Sequence, residues 1–175
     1  MLTSDEPALA RSSRLVNALV ESLQRDGQAA RLIQTHISWV LLAGDHAWKI
    51  KKPVRFGFLD FSTLAARRHF CHEELRLNRR LAPGLYLAVQ PIRGDAAAPH
   101  FGGEGEDLEV AVKMQRFPDG ALASEQLVQG LLTADDLARF AQKLAAFHRE
   151  AATPPPEAKH ATPERIVAAA LGPLA

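Results

Sequence analysis

The chain of 175 residues is long enough for one domain, or for one domain and part of a second, with a sizeable hydrophobic core. Its 21 basic and 20 acidic residues give a net charge of +1, so the chain has no general attraction to nucleic acid or to anionic membranes. The single cysteine excludes an internal disulfide and a metal site built from several thiolates. Because we find no signal peptide and no apolar stretch of the roughly 20 residues that span a bilayer, we expect a cytoplasmic protein.

The N-terminal part predicts a helix followed by a β-hairpin. Apolar residues at helical spacing favour a helix over Ser13–Gln24 with Ser12 or Ser13 as its cap, and we assign residues 1–28 to it. Arg31–Ala43 is rich in β-branched and aromatic residues and predicts a strand. After a Gly-Asp turn, His46–Lys52 predicts the returning strand.

The returning strand separates its side chains onto two faces. Trp48 and Ile50 lie on one face, whereas Ala47, Lys49 and Lys51 lie on the other. A face with two lysines and one small residue is not an ordinary core. It either meets solvent, as at a lysine-protected strand edge, or it meets an anion.

A second helix is predicted from about Leu64 to Ala82, with Ser62 or Thr63 as its cap. Glu74 falls inside an apolar stripe of this helix, and Glu73 lies at the edge of that stripe. A carboxylate in such a position is costly unless a cation meets it. The stripe consists of Phe70, Leu77 and Leu81.

The remaining elements complete an α+β pattern. Leu85–Arg93 and Leu108–Arg116 predict two strands, joined by a flexible acidic loop over residues 94–107. A short helix is expected over Leu122–Leu132, and a longer one over Thr133–Ala151. Four or five antiparallel strands with one packed helix make an α+β layer, and the last helices have few partners in this chain.

Several segments resemble the protein-kinase-like fold. His46-Ala47-Trp48-Lys49 resembles the Val-Ala-Ile-Lys element on the third strand of that fold, and Glu74 resembles the glutamate of its C-helix. Residues 114–120 (MQRFPDG) are similar to its gatekeeper and hinge, and residues 144–148 (LAAFH) to a helix ending of aminoglycoside phosphotransferases. The stretch from His36 to Val89 is most similar to the N-terminal domain of bacterial aminoglycoside phosphotransferase family proteins, many of which also carry a C-terminal P-loop kinase-like domain.

The resemblance implies a fold and a function. Residues 29–117 would form a protein-kinase-like N-lobe, an antiparallel sheet of about five strands with one packed C-helix. Residues 118–175 would form the hinge and an incomplete start of the C-lobe. The chain would be the ATP-binding lobe of a small-molecule kinase whose full-length parent transfers a phosphoryl group from ATP to a hydroxyl.

The resemblance also implies site residues. Lys49 would contact the α- and β-phosphates, and Glu74 would hold it, with Glu73 as the alternative partner. Ala47 would pack on the adenine ring, and Met114 would be the gatekeeper. The implied nucleotide-binding residues are Lys49, Glu74, Ala47, Met114, Gln115 and Phe117, the last two through backbone groups that bind the adenine edge.

Two elements of the family are missing from this sequence. The segment Gln34–Trp39 contains no glycine where the Gly-rich loop is expected, and no His-Gly-Asp-x-x-x-x-Asn catalytic loop occurs. ATP and Mg²⁺ are the implied cofactors, and the catalytic aspartate and the magnesium ligands would come from the C-lobe. We therefore expect a truncated, inactive kinase-like chain with neither catalytic nor metal-binding residues of its own.

The alternative is a non-catalytic α+β interaction module. Its contacts would be made by the uncovered C-terminal helices, including self-association, or by the basic surface of the second helix. That surface is either a solvated face or a site for an anionic partner. Its members are Arg67, Arg68, Arg76, Arg79 and Arg80.

Overall fold

A computed structural model describes residues 3–4, 6–153, 155 and 162–171, which form an α+β fold. The chain divides into two units, Met1–Ala121 and Leu122–Ala175, so the boundary lies four residues beyond the expected end of the N-lobe. The elements in chain order are β1 (Thr3–Ser4), α1 (Glu6–Arg25), β2 (Ala30–Gln34), β3 (Ser38–Ala43), β4 (His46–Lys51), β5 (Val54–Phe56), β6 (Leu59–Asp60), α2 (Leu64–Asn78), β7 (Tyr86–Asp95), β8 (Ala98–Phe101), β9 (Glu109–Gln115), α3 (Ala123–Val128), α4 (Ala134–Arg149) and α5 (Pro163–Leu171).

The first helix begins at Glu6, seven residues before the predicted start. Glu6 lies in its first turn, where a carboxylate suits the positive end of the helix dipole, and Pro7 is tolerated there because its missing N–H is not needed. Ser12, one of the two predicted caps, is instead buried inside the helix. Leu9 extends the apolar face of α1 onto the core.

The main sheet of the first unit has six antiparallel strands in the order β2-β3-β4-β9-β7-β8. The predicted strand over residues 31–43 is two strands, because Thr35 and Ser38 close a turn within it. The Thr35 hydroxyl donates to the Ser38 carbonyl oxygen at 3.0 Å and accepts from the Ser38 amide at 3.0 Å. β1, β5 and β6 form a separate, three-stranded sheet.

The segment predicted to be a flexible loop, residues 94–107, contains β8. This strand pairs with the end of β7, where Ile92 lies opposite Phe101. The Arg93 side chain fixes the return of the chain by donating to Asp107 at 2.6 Å and to the carbonyl oxygen of Gly103. The glycine-rich composition of the segment therefore serves tight turns in an ordered hairpin.

A helix packs on each face of the sheet. α1 covers one face, and the core there includes Val16, Leu19, Trp48 and Ile50. α2 covers the other, where Cys71 packs with Val110, Val112, Val89 and Met114. The predicted separation of the β4 side chains onto two faces is confirmed.

The inward side of α2 differs from the predicted apolar stripe. Arg67 and Cys71 are buried, whereas Phe70 and Leu77 are exposed. Arg67, Cys71 and Glu74 follow helical spacing, so charged residues occupy the inward face where the sheet provides charged partners. The helix ends at Asn78 rather than at Ala82. Thr63 is its cap, and its side chain accepts a hydrogen bond from Ala66.

The second unit contains α3, α4 and α5. Thr133 and Asp136 form a capping box at the start of α4. The apolar side chains of Leu137 and Phe140 on α4 are 56% and 60% exposed. Within the described part of the chain, no helix has the length and apolar character needed to cross a bilayer.

Candidate functional site

The predicted lysine–glutamate pair is present where β4 meets α2. The Lys49 Nζ atom lies 2.8 Å from Glu74 Oε1, and the Lys51 Nζ atom lies 2.7 Å from Glu74 Oε2. Strand alternation places both lysines on one face of β4, and α2 crosses that face so that Glu74 reaches both. We call Lys49, Lys51 and Glu74 the lysine–glutamate cluster.

The three side chains of the cluster differ in burial. The Lys51 side chain is 6% exposed and that of Glu74 is 12% exposed, whereas that of Lys49 is 32% exposed. The Lys51 ammonium also lies 4.8 Å from the centroid of the Phe61 ring, at cation–π distance. Lys51 is thus an interior cation, and Lys49 is the member of the cluster that reaches solvent.

The cluster carries a positive charge. Burial alone would raise the pKa of the Glu74 carboxyl, but the hydrogen bonds from Lys49 and Lys51 and their charges outweigh burial and lower this pKa. The carboxylate is therefore ionised at neutral pH. Two ammonium groups against one carboxylate leave positive charge uncompensated inside the cluster.

Glu73, the alternative partner for Lys49, points elsewhere. Its carboxylate accepts hydrogen bonds from Arg76, with the shortest contact at 2.7 Å. Glu73 and Arg76 are separated by three residues on the outer surface of α2, as is common for exposed ion pairs on a helix. The structure therefore assigns Glu74 to Lys49.

The interpretation of the lysines as a solvated strand edge is wrong. β4 lies between β3 and β9, so it is an inner strand. Lys52, which follows it, is also buried: its ammonium donates to the Thr35 carbonyl oxygen at 2.5 Å and lies 5.3 Å from the Trp39 ring. Burial lowers the pKa of Lys52.

Two neutral titratable groups lie beside the cluster. Burial raises the pKa of the Cys71 thiol to about 12, so this buried cysteine stays protonated and is not a nucleophile at neutral pH. Burial, together with the charge of Glu74, also raises the pKa of Tyr86. Both groups are therefore uncharged at neutral pH and do not change the charge of the cluster.

Ala47 and Met114, predicted for the adenine end of the site, lie near the cluster. Ala47 is buried on the same face of β4 as Lys49 and lies directly opposite Met114 in the ladder between β4 and β9. Met114 in turn lies opposite Tyr86 of β7. The sheet thus brings Ala47, Lys49 and Met114 to one face.

Gln115 and Phe117 lie where the chain leaves the sheet. The Gln115 backbone amide donates to the Leu85 carbonyl oxygen at 2.8 Å, and its side-chain amide donates to the Asp45 carbonyl oxygen at 2.9 Å. The Gln115 N–H is therefore already used within the protein. Phe117 lies beyond the end of β9, with an exposed side chain.

The second attachment of α2, between Arg67 and Glu109, was missed by the sequence interpretation. The Arg67 Nε atom lies 2.8 Å and 3.1 Å from the two Glu109 carboxylate oxygens, and Nη1 donates to the Phe61 carbonyl oxygen at 2.9 Å. Both charged side chains are buried. The helical spacing of Arg67 from Cys71 was the available indication that Arg67 faces inward.

The other arginines of the predicted basic surface also have partners in the protein. Arg68 forms an ion pair with Asp107 at 2.7 Å, and Arg79 donates to the Tyr86 carbonyl oxygen at 2.7 Å. Together with the pair between Arg76 and Glu73, these contacts use much of the basic character internally. Whether this surface is a solvated face or a site for an anionic partner stays a prediction.

The histidines of α2 do not converge with Cys71. His69 and His72 are exposed, whereas Cys71 is fully buried. Within the described residues, no group of three or more His, Cys, Asp or Glu side chains is placed to hold a metal ion.

Proteins similar to this chain are known from mycobacteria. The uncharacterized proteins Mb2027c of Mycobacterium bovis and Rv2004c of Mycobacterium tuberculosis are each 36% identical to it over 118 residues. The match covers 67% of this chain and 22% of each relative, so it spans about a fifth of their length. No protein-family profile and no solved structure matches the chain.

Proposed function

We propose that this chain is the ATP-binding N-lobe of a small-molecule kinase that resembles aminoglycoside phosphotransferases. In the full-length parent, the γ-phosphoryl group of ATP would be transferred to a hydroxyl of a small molecule. The observation that carries the proposal is the ion pair between Lys49 and Glu74, which joins an inner strand to the helix packed on it.

The electrostatics of the cluster support phosphate binding. Glu74 holds the Lys49 ammonium in one direction, while the partial exposure of Lys49 lets an anion approach it. Lys51 supplies a second positive charge a few ångströms away, on the other oxygen of the same carboxylate. A fixed cation with a surplus of positive charge behind it suits the α- and β-phosphates of a nucleotide.

The order of elements supports the same function. The lysine strand β4 precedes the glutamate helix α2, and β7 and β9 then lead to the hinge-like segment that contains Phe117. Protein kinases use a lysine on a strand and a glutamate on the C-helix in this way. Ala47 and Met114, on the same face as Lys49, provide the apolar surface on which an adenine ring would pack.

The proposal assigns binding rather than catalysis to the residues of this chain. No His-Gly-Asp-x-x-x-x-Asn element occurs in the 175 residues. In kinase-like enzymes the catalytic aspartate and the magnesium ligands belong to the C-lobe. We therefore expect the chain to bind MgATP without transferring its phosphoryl group.

The test is a titration of the chain with MgATP, with binding measured by amide NMR or calorimetry. We expect saturable binding that weakens about tenfold or more in Lys49→Ala, because a charge-assisted contact to phosphate is lost. Lys113→Ala is the matched control, since Lys113 lies opposite Trp48 on the other face of the same sheet. This control should leave the affinity unchanged.

Two outcomes would contradict the proposal. One is the absence of any MgATP-dependent change in the wild-type chain. The other is an equal loss of affinity in Lys49→Ala and Lys113→Ala, which would indicate a nonspecific effect of positive charge. Circular dichroism of each variant separates loss of binding from loss of fold.

The apolar surface of α4 favours a second candidate, a non-catalytic interaction module that associates with a second copy of the chain. Leu137 and Phe140 lie three residues apart on one side of this helix, and both are exposed. Sedimentation equilibrium would detect a dimer that the double variant Leu137→Asp/Phe140→Asp dissociates. A monomeric wild-type chain at high concentration would exclude this candidate.

A further inference from the structure

We propose that Lys51 is a positioning residue that holds the Glu74 carboxylate in place while Lys49 contacts both this carboxylate and a phosphate. The inference rests on the proposed function, in which the Lys49 ammonium contacts Glu74 and a phosphate at the same time. It concerns Lys51, to which the resemblance to kinases gives no role.

The contacts divide the Glu74 carboxylate between the two lysines. Lys49 takes Oε1 at 2.8 Å, and Lys51 takes Oε2 at 2.7 Å. Each ammonium therefore has an oxygen of its own. When a phosphate shares the Lys49 ammonium, the Lys51 contact still holds the other oxygen of the carboxylate.

The surroundings of the lysines make Lys51 the interior partner of Glu74 and Lys49 the partner that reaches solvent. The Lys51 side chain is almost completely buried, and its ammonium lies over the Phe61 ring. The Lys49 side chain is five times more exposed, at 32% against 6%. A phosphate that arrives from solvent therefore meets Lys49 and not Lys51.

The energetics explain why a second lysine is useful here. Breaking a buried ion pair is strongly unfavourable when it leaves an uncompensated charge in the interior. With a single lysine, Glu74 and a phosphate would share one ammonium, so the buried carboxylate would be only partly compensated. With Lys51 in place, Glu74 remains ionised and hydrogen-bonded throughout, so less of the phosphate-binding energy is lost.

Among the described residues beside the cluster, neither neutral neighbour carries a positive charge that could replace that of Lys51. Cys71 of α2 and Tyr86 of β7 lie beside the cluster, and the raised pKa of each keeps it neutral at pH 7. Glu109 of β9 is held by Arg67. Among the described contacts, Lys51 is therefore the second cation that binds Glu74.

The first experiment needs no nucleotide. The carboxyl carbon of Glu74 is titrated by ¹³C NMR in the wild-type chain, in Lys49→Met and in Lys51→Met. We expect the pKa of Glu74 to rise more in Lys51→Met than in Lys49→Met, because Lys51 is the buried partner. An equal or larger rise in Lys49→Met would overturn the inference, whether or not the chain binds ATP.

The second experiment is a double-mutant cycle on MgATP affinity. We expect Lys51→Met to weaken binding about tenfold in the wild-type background and to have little effect in the Glu74→Gln background, since Lys51 acts through that carboxylate. Equal losses in both backgrounds would instead make Lys51 a direct phosphate ligand and overturn the positioning role. Absence of binding by the wild-type chain would contradict the proposed function and leave the NMR titration as the test of Lys51.

Lys51→Arg is a second variant for both experiments, and it keeps the inference testable if Lys51→Met fails to fold. Arginine keeps a positive donor beside Glu74, so we expect this variant to retain the low Glu74 pKa and most of the MgATP affinity. If Lys51→Arg folds but behaves like Lys51→Met in both measurements, the role of Lys51 is not to hold the carboxylate.

Discussion

A single carboxylate, that of Glu74, receives two ammonium groups from alternate positions of β4. Both hydrogen bonds form in a largely buried place, so we expect substitution of Glu74 to lower the stability of the fold. Its neighbour Glu73 has the same chemistry but an exposed partner, Arg76. The two adjacent glutamates therefore offer a matched comparison.

We expect Glu74→Ala to lower the free energy of unfolding by about 3 kcal/mol, because it leaves Lys51 buried without its carboxylate. Glu73→Ala should cause no measurable change, since its ion pair with Arg76 is exposed to solvent. Urea denaturation of the two variants measures the difference. Equal and small effects would show that the buried cluster does not stabilise the protein.

The contribution of Glu74 should also depend on pH. Its pKa in the folded chain lies below the ordinary value of 4.5, because the hydrogen bonds from Lys49 and Lys51 overcome burial. The stabilisation is therefore fully present above pH 4.5 and is lost as the pH falls through the folded-state pKa. We expect the stability difference between the wild-type chain and Glu74→Gln to hold above about pH 4.5 and to shrink as the pH falls below that value. A constant difference would contradict the depressed pKa.

The sequence predicted the pairing of Lys49 with Glu74, because local periodicity places each residue on a particular face of its strand or helix. The burial of Lys51, Lys52 and Arg67 could not be predicted in the same way. Their partners lie 17 to 42 residues away in the chain, and the composition of a strand or helix does not show where those partners will fold. Lysine and arginine are seldom buried, so a solvated face was the natural expectation.

At the scale of elements, α2 is attached to the sheet by ion pairs of opposite polarity. Near its start, the helix supplies the cation Arg67 to Glu109 of β9. Two turns later it supplies the anion Glu74 to the lysines of β4. A slide of the helix by two turns would bring Arg67 toward the lysines, so the charges favour one register of α2 on the sheet.

The hairpin of β7 and β8 shows why glycine-rich composition misled the sequence prediction. Gly94 and Gly103 have positive φ angles of 95° and 74°, and the His100 ring lies against both of them. Composition alone cannot distinguish glycines that loosen a loop from glycines that make room for a side chain. The distinction depends on His100, which reaches both glycines only in the folded hairpin.

We expect Gly94→Ala to destabilise the protein by about 1–3 kcal/mol, because its backbone conformation is strained for any side chain. An added Cβ would also lie 2.9 Å from the Ala98 carbonyl oxygen and from the His100 ring. Gly84→Ala is the control, since no atom lies within 4 Å of its added Cβ and its φ angle is not positive. Thermal unfolding, monitored by circular dichroism, measures the melting temperatures of the two variants. Equal melting temperatures would show that the hairpin tolerates a side chain at Gly94.

At the scale of the whole molecule, the structure separates Met1–Ala121 from Leu122–Ala175. The sequence prediction placed this boundary at the start of the hinge-like turn, after Phe117. The structure retains the turn in the first unit, where the Ala121 amide donates to the Pro118 carbonyl oxygen at 3.2 Å. A turn marks a change of chain direction, but it does not reveal which neighbouring unit it belongs to.

A fragment of residues 1–121 should fold by itself. The ladders of the main sheet and both buried apolar clusters described above lie in this part of the chain, whereas α3 and α4 contain no buried residue. We expect the amide NMR signals of β3, β4 and β9 to have nearly the same positions in the fragment as in the full chain. The fragment should also unfold cooperatively in urea, as a single domain of this size does. Collapsed, poorly dispersed spectra would show that residues 122–175 are needed to form the sheet on which the candidate site is built.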